Sequence, residues 1–363
     1  MAEESVNDAI LDAIISHAID LERFSADVRQ RVLALLFSLE RDLIRETEDS
    51  KFTKPSRRTF RQMRLEKLLQ QTQETIRGRY SEINRMVTRD LQSVSSLTAS
   101  ATVKAINVSV GAELMTVALA PEQLRALADD TLIEGAPTKT WWSRQAGDMR
   151  ARFEDRVRQG YARGYGMDEI TRSVKGDPDL NFTDGVMQGR RNNAETLVRS
   201  SVQAVSGSAR LEVFEANDDV VQGVQQISTL DSRTSTICKA YSHKVWKIKT
   251  YEPVGHSLPF NGGVPRHMNC RSVLVAYLLP FDELTNRDKK KVEAAGTQVS
   301  MDGQVAADLD YESWLKGKSS AFQREVLGEG KYKLWKAGRI TFTDMIDQRG
   351  NPLTLAELQR RFG

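Results

Sequence analysis

Apolar side chains return every three or four residues along most of the first hundred positions. Between residues 5 and 48 they include Ile10, Ile14, Val32 and Leu36, with charged residues on the positions between. This period is that of an amphipathic α-helix with one buried face. The pattern predicts a long helix, and we expect the partner for its apolar face to lie in the same chain.

The helical period resumes from Leu69 to Leu91 and then fades. Ser93–Val110 is rich in small and β-branched residues, a composition that fits either a helix or a strand. Pro121 is well suited to the first turn of a short helix, because its missing N–H has no partner there anyway. Residues 1–140 are therefore predicted to form a helical N-terminal region.

From Trp141 onward the pattern predicts helices and strands together. Two long helices are expected, at Trp142–Gly160 and Asn193–Ala216, and three strands, at Val220–Ile227, Lys244–Ile248 and Val273–Leu279. The strands and the second helix would form a small α+β core with a short antiparallel sheet, within residues 141–282. A helical C-terminal module is expected over residues 305–363, after a linker at Ala295–Gln304. The predicted fold class is α+β, mostly α.

Composition narrows the class of protein. The chain has 363 residues, of which 40% are hydrophobic and 28% charged, as in globular proteins. It has no apolar run near the roughly 20 residues of a membrane helix, and its N-terminus does not resemble a signal peptide. Two cysteines are too few for a disulfide framework, which favours a reducing compartment. The 52 basic and 49 acidic residues nearly balance, so contact with nucleic acid would need a local patch.

One such patch is the segment Lys51–Arg64, which has six basic residues and no acid. Its candidate contact residues for DNA or a protein surface are Arg57, Arg58, Arg61 and Arg64. A second arginine-rich stretch follows within the helix at Trp142–Gly160. The segment fits a solvated helix start, or a contact with phosphates or an acidic protein surface.

The candidate chemistry is concentrated between Thr229 and Tyr277, which holds both cysteines and three of the four histidines. His267 and Cys270 have His-x-x-Cys spacing, and Cys238 precedes them by about thirty residues, which is partial zinc-ligand spacing. Ser235 stands three residues before Cys238, where a fourth ligand would be expected. Asp231, His243 or His256 are alternative fourth ligands. A Cys238–Cys270 disulfide or two buried thiols remain alternatives to zinc.

Enzyme motifs are poorly represented. His267 lies beside Asn269, but an HNH-type nuclease needs a second histidine at a suitable spacing to bind the metal. The sequence contains no Gly-x-Ser-x-Gly elbow, no Walker A motif and no Gly-x-Gly-x-x-Gly. We therefore expect a protein without catalytic residues.

Several separated motifs resemble one family when they are read in order. They are Glu195–Ser201, Asp231-Ser232-Arg233-Thr234 with Cys238, Lys244-Val245-Trp246, and His267-Met268-Asn269-Cys270-Arg271. Together they are similar to the phage Mu F-like head morphogenesis family, the minor capsid proteins of tailed phages. Ser200-Ser201, Ser235 and Met268 depart from the residues common in that family. The resemblance extends from about Trp141 to the end of the chain and gives Asp231, Arg233, Thr234, Asn269 and Arg271 a structural role.

The resemblance implies a non-enzymatic structural protein of the virion. Such a protein would be a minor head protein, present in several copies at the portal vertex or capsid interior and assembled in the host cytoplasm. Its expected partners are the portal protein, the major capsid protein, or both, and packaged DNA, with roles in head assembly, DNA packaging or ejection. The alternative is a metal-dependent DNA-binding or nuclease protein of the phage head.

Overall fold

The computed structural model describes residues 6–51, 58–111, 113–180, 182–278, 297–301, 303–306, 309–347 and 350–362. Arg57 and Leu279, which belong to a predicted contact patch and a predicted strand, lie outside these ranges. No described helix combines the length and the low polarity that crossing a membrane requires.

Helices dominate the described chain, which confirms the predicted mostly-α α+β class. The long helices are α1 (Val6–Ser50), α2 (Arg58–Val110), α4 (Thr138–Ala162) and α6 (Arg190–Ala216). The shorter ones are α3 (Pro121–Asp130), α5 (Met167–Lys175), α7 (Thr236–Tyr241), α8 (Tyr311–Lys316), α9 (Ser320–Leu327), α10 (Glu329–Lys336) and α11 (Leu355–Phe362). Two 3₁₀ turns lie at Pro178–Leu180 and Thr343–Met345.

The segment Ser93–Val110, which the sequence left open between helix and strand, is the last third of α2. Its small polar side chains bond to backbone carbonyl groups: Thr102 Oγ1 donates to Thr98 O at 2.7 Å, and Ser95 Oγ donates to Leu124 O at 2.8 Å. A hydroxyl satisfied in this way can be buried in a helix at little cost. The composition therefore reflects close packing and does not indicate a strand.

The chain forms two compact units, each built from separate stretches of sequence. The first contains Met1–Leu21, Val94–Leu127 and Gln203–Gly363, and the second contains Glu22–Ser93 and Ala128–Val202. Because α1, α2 and α6 each contribute residues to both units, this division crosses the predicted boundaries at 1–140, 141–282 and 305–363.

The second unit is a helical bundle with a core of residues from α1, α2, α4, α5 and α6. Its fully buried members include Leu36, Leu39, Ile83, Phe153 and Val198. Ion pairs connect the helices around this core: Arg79 pairs with Asp42 at 3.0 Å, Arg191 with Glu40 at 2.6 Å, and Arg158 with Glu66 at 3.0 Å. A hairpin of two short strands, β1 (Leu132–Ile133) and β2 (Ala136–Pro137), precedes α4.

The first unit contains an antiparallel sheet of four strands in the order β5-β4-β3-β6. These strands are β3 (Val221–Ile227), β4 (Val245–Lys247), β5 (Pro253–Val254) and β6 (Val273–Leu278). The longest pairing joins β3 to β6, from Val221 opposite Leu278 to Ile227 opposite Val273. Apolar residues of the sheet pack with Val213 and Phe214 at the end of α6 and with Ile10 and Ile14 of α1.

A second apolar cluster of this unit gathers the C-terminal helices. It contains Tyr311, Trp314, Trp335 and Leu358, together with Leu230 from the end of the strand region. A backbone hairpin, β7 (Thr297–Ser300) and β8 (Gly303–Ala306), overlaps the predicted linker Ala295–Gln304, of which positions 295, 296 and 302 lie outside the described ranges. Thr354 and Glu357 form a capping box at the start of α11, since each side chain bonds to the other residue's backbone N–H.

Candidate metal centre

The first part of the site is a buried carboxylate that joins two distant segments. Asp231 lies four residues beyond β3, and Arg271 lies just before β6. The Arg271 guanidinium donates two hydrogen bonds to the Asp231 carboxylate, at 2.6 and 2.8 Å. Asp231 Oδ1 also accepts from Thr234 Oγ1 and from the Arg233 N–H, each at 3.0 Å. The bidentate pair therefore fixes the chain after β3 relative to the chain before β6.

Burial raises the pKa of the Asp231 carboxyl, but the hydrogen bonds and charge of Arg271 and the bonds from Thr234 outweigh it, so that its pKa is lowered overall. The ionised form is therefore the one that the fold stabilises. These contacts involve Asp231, Thr234 and Arg271, for which the resemblance implies a structural role. Arg233 contributes its backbone N–H, while its side chain is 83% exposed.

A short helix presents the first cysteine. Ser235 is the N-cap of α7, and its Oγ accepts from the Cys238 N–H at 3.3 Å. An N-cap bonds to the third residue of the helix, so the residue three positions after Ser235 lies next to its hydroxyl. Cys238 is buried, and its own carbonyl accepts from Ser228 Oγ at 2.9 Å.

A tight turn presents the other two candidate ligands. Cys270 N–H donates to His267 O at 3.1 Å, and Asn269 within the turn has a positive φ of 59°. Asparagine adopts this left-handed conformation more readily than most residues, which gives a physical reason for its place in the motif. His267 Nδ1 lies 2.7 Å from Met268 O, so Nδ1 carries the proton and Nε2 presents a lone pair.

The three groups converge at distances that suit a tetrahedral metal. Cys238 Sγ lies 3.6 Å from Cys270 Sγ and 3.3 Å from His267 Nε2, and Ser235 Oγ lies 2.7 Å from the same nitrogen. In a tetrahedral zinc site, bonds of about 2.3 Å to sulfur and 2.0 Å to nitrogen separate two sulfurs by roughly 3.8 Å and a sulfur from a nitrogen by roughly 3.5 Å. Cys238, His267 and Cys270 therefore have the donor types and the spacing to hold zinc. Ser235 lies where a fourth ligand would be.

The two thiols are free cysteines, so the disulfide alternative is not formed in this structure. The hydrogen bond from Cys270 lowers the pKa of Cys238 to about 6, although burial opposes this shift. The same hydrogen bond and burial raise the pKa of Cys270. The pair therefore favours the thiolate at Cys238, with Cys270 as its hydrogen-bond donor, and a metal would have to displace the proton of Cys270.

The other candidate ligands do not join this cluster. In the described ranges, the one group of three or more potential ligands consists of Cys238, His267 and Cys270. Asp231 is engaged by Arg271, and both ring nitrogens of His256 bond elsewhere, Nε2 to Val245 O and Nδ1 to the Leu258 N–H. His243 bonds through Nδ1 to Ser242 Oγ. Ser235 lies beside His267 Nε2, and both Ser235 and Ser272 hydrogen-bond to Cys238.

The cavity at this site has a volume of about 20 Å³, lined by residues that include Ser235, Cys238, His267 and Asn269. Such a volume accepts an ion or a water molecule but no organic substrate. The site is therefore suited to holding α7 against the turn before β6.

Two contacts around the site have no signal in the sequence. Tyr311, eighty residues away, donates through its hydroxyl to Asp231 O at 2.7 Å. The Arg266 guanidinium lies 3.6 Å from the centre of the Tyr241 ring and donates to Gln226. Local spacing does not reveal either contact, because both depend on how remote segments pack.

The predicted basic contact residues differ in exposure. Arg58 is exposed, whereas Arg61 lies over the Tyr161 ring at 5.7 Å, and both Arg61 and Arg64 are partly buried. Most arginines of α4 have partners within the second unit: Arg156 donates to Asp184 O, Arg152 to Gln188 O, and Arg158 to Glu66. These side chains contribute to packing.

These observations define a class of protein. It is a mostly helical α+β protein, in which an Asp–Arg pair and a Cys/His cluster join the segment after β3 to the segment before β6. Residues 151–275 match the family described as Phage Mu protein F like protein. This segment begins in α4, contains the whole cluster and ends in β6, so the resemblance to a Mu F-like family is confirmed there. It supports the class that the motifs indicated, a phage head-morphogenesis protein. No curated protein and no solved structure matches the chain significantly.

Proposed function

We propose that this protein is a non-enzymatic minor head protein, which acts at the portal or on the capsid interior while the phage head is assembled. The observation that carries the proposal is what the residues of the family motifs contact in the structure. Arg271, Cys238 and His267 line a space of about 20 Å³ in the Mu F-like segment, and Asp231 binds Arg271 beside it. Residues in this position stabilise the fold, so the surface that binds the partners lies elsewhere on the protein.

The expected partners are the portal protein, the major capsid protein, or both, and the expected location is the virion. Contact with packaged DNA, during packaging or ejection, is a finer part of the same proposal. Of the four candidate contact residues, Arg58 is the described one that is exposed. Sequence-independent binding through such residues would weaken steeply with salt.

The proposal is tested with phage particles. A phage that lacks this gene is complemented with the wild-type gene or with none, and the particles are purified and analysed by electron microscopy and mass spectrometry. We expect the protein in wild-type particles, and aberrant or non-infectious heads without it. Normal, infectious particles without the gene would refute the proposal.

We propose further that zinc, bound by Cys238, His267 and Cys270, stabilises this segment. Zinc would supply a structural cross-link between α7 and the turn before β6, and Ser235 or a water molecule would complete the tetrahedron. Three protein ligands bind zinc less tightly than four, and thiolate is a stronger ligand than a hydroxyl.

The substitution Ser235→Cys tests this assignment, because it completes a Cys₃His ligand set. We expect zinc affinity to rise at least tenfold, measured by competition with a chromogenic chelator, and the melting temperature of the zinc-loaded protein to rise with it. Ser232→Cys is the matched control, since it adds a thiol three residues away from the cluster position. Equal zinc affinity in both variants would contradict the assignment.

The nuclease alternative has less support. Hydrolysis requires a base beside the scissile phosphate and room for that phosphate. His267 Nδ1 is bonded to Met268 O, and Nε2 lies among Ser235 and Cys238 in the small cavity. Cleavage of plasmid DNA with added divalent metal, abolished by His267→Ala, would restore this alternative.

A further inference from the structure

A groove in the second unit has features that the proposed function does not explain. Two adjoining cavities, of about 500 and 350 Å³, lie between α2 and the start of α4 and share Asn84, Arg85 and Lys139 as lining residues. We call them together the basic groove. At this size the groove accommodates several side chains of a ligand.

The walls of the basic groove carry an excess of positive charge. Arg77, Arg85 and Arg89 are exposed and take part in no ion pair with any described residue. Lys139 forms only a long salt bridge, with Asp130 at 3.7 Å. The acidic residue that lines the groove is Asp129. Most other arginines of the unit have partners, so these side chains are available to a ligand.

The floor of the groove contains buried polar atoms that lack partners. Tyr80 OH, Trp142 Nε1 and Asn84 Oδ1 make no hydrogen bond, although Tyr80 is only 2% exposed and Trp142 only 1%. Both rings line the smaller cavity. Leaving such groups unpaired is costly, and they are commonly satisfied by a ligand or by water.

The first turn of α4 adds a further positive feature. It begins at Thr138, its N-cap Pro137 makes no side-chain cap, and the turn contains no acidic residue. Thr138 and Lys139 line the larger cavity. The free N–H groups and the dipole of a helix N-terminus favour an anion in that position.

We propose that the basic groove is the docking site for an extended acidic segment of a partner protein, such as a run of alternating Asp or Glu residues. Arg85 and Arg89 lie four residues apart on α2, a rise of about 6 Å, and Arg77 lies eight residues before Arg85. Alternate side chains of an extended peptide are separated by about 6.6 Å on one face. Successive carboxylates would therefore match successive arginines.

The floor favours a peptide over a nucleic acid. A peptide backbone offers both donors and acceptors, so it can complement Trp142 Nε1, a donor, and Asn84 Oδ1, an acceptor, whereas a phosphodiester offers acceptors alone. Single-stranded nucleic acids usually bind by stacking bases on exposed aromatic rings, and the rings here are buried. A duplex is too wide to reach the floor between two packed helices.

The binding test uses full-length protein and a fluorescein-labelled 12-residue peptide of alternating Glu and Thr, with anisotropy measured at low salt. We expect Arg77→Gln/Arg85→Gln/Arg89→Gln to weaken binding at least tenfold. Arg41→Gln/Lys67→Gln/Arg172→Gln, which removes the same charge from exposed positions elsewhere, should change it less than twofold. An equal loss of peptide affinity in both triple variants would show that the effect depends on net charge alone, and it would overturn the proposal.

Tyr80→Phe separates binding from structure. Because the Tyr80 hydroxyl has no partner, we expect its removal to leave the melting temperature unchanged or higher while peptide affinity falls about threefold or more. A purely structural role for this hydroxyl predicts a lower melting temperature with unchanged affinity, and that result would contradict the proposal.

Nucleic-acid arms complete the test. A 20-base-pair duplex and a 12-base single strand are measured against the same variants. Preferential binding of either, lost in the groove variant, would replace the acidic-peptide assignment by a nucleic-acid site. The inference does not require the head-assembly role, since the groove can bind its peptide even if particles form without the protein.

Discussion

At the scale of single residues, Asp231 connects segments that lie far apart in the sequence. Its carboxylate binds Arg271, its backbone carbonyl accepts from Tyr311, and its neighbours shape the turn that leads to Cys238. Three segments far apart in sequence meet at this one residue. Removing one partner of a buried pair leaves the other charge unsatisfied, which is more harmful than losing an exposed ion pair.

Asp231→Asn is therefore predicted to lower the free energy of unfolding by about 3 kcal/mol at pH 7. The pKa of Asp231 is lowered in the folded protein, so its contribution is present above the ordinary value of about 3.9 and is lost as the pH falls below it. Urea unfolding at pH 7 and at pH 3 measures both effects. A stability difference between wild type and variant that does not shrink at pH 3 would contradict this account.

His17 is a second residue with an unusual environment. Its Nε2 lies 3.1 Å from Thr98 Oγ1, and the buried Arg210 of α6 is the positive charge that acts on its ring. Burial, together with the charge of Arg210, lowers the pKa of His17 to about 4, while Asp20 opposes the shift. The fold therefore requires neutral His17.

The resulting prediction concerns mild acid. Between pH 6.5 and about 4 the unfolded state binds a proton at His17 that the folded state does not, so stability falls as the pH falls through this range. His17→Gln, which can still bond to Thr98, should remove this part of the pH dependence. Urea unfolding at pH 7, 5.5 and 4.5 measures it, and identical pH profiles for both proteins would count against the assignment.

At the scale of elements, α6 is the helix on which the first unit is built. Its residues from Gln203 onward pack on the loop that precedes β6: a Cβ added at Gly207 would lie 2.7 Å from Val264 O. Gln203 also donates to Ser272 O through its side-chain amide. Glycine at position 207 therefore permits a close approach of helix and loop.

Gly207→Ala is predicted to destabilise the protein by about 1–3 kcal/mol, because the loop backbone has to move. Gly78→Ala is the matched control in the interior of α2, where an added Cβ meets nothing within 4 Å. There alanine should stabilise by roughly 0.5–1 kcal/mol, as helix propensity predicts. Thermal unfolding of both variants tests the pair, and a shift of the same sign in both would show that Gly207 is not a packing position.

At the scale of the whole molecule, the C-terminal helices belong to the core of the first unit. Their apolar cluster includes Leu230, which is fully buried, and Lys239 of α7 lies 4.9 Å from the Tyr311 ring centre. The Mu F-like segment is thus completed by a part of the chain that the family match does not cover.

Truncation before Leu309 is predicted to expose Leu230, to release the Tyr311–Asp231 hydrogen bond and to lower the melting temperature of the first unit by several degrees. Tyr311→Phe, which removes only the hydrogen bond, should cost about 1–2 kcal/mol. Scanning calorimetry of the two variants measures both losses. If truncation costs no more than Tyr311→Phe, the cluster does not contribute to the core.

The sequence alone determined three strands of the sheet, the long helices apart from the last third of α2, the mostly-α α+β class and the Mu F-like resemblance, because these depend on local periodicity and on motif order. It also identified Cys238, His267 and Cys270, since their spacing carries information about ligands. The partners of Asp231, the neutral state of His17 and the close approach at Gly207 were decided by the tertiary structure. The basic groove belongs with them: Arg77, Arg85 and Arg89 have an ordinary helical spacing, and only the packing of α4 beside α2 makes them line cavities between the two helices. Contacts between residues distant in sequence depend on how whole helices pack, and no local pattern records that.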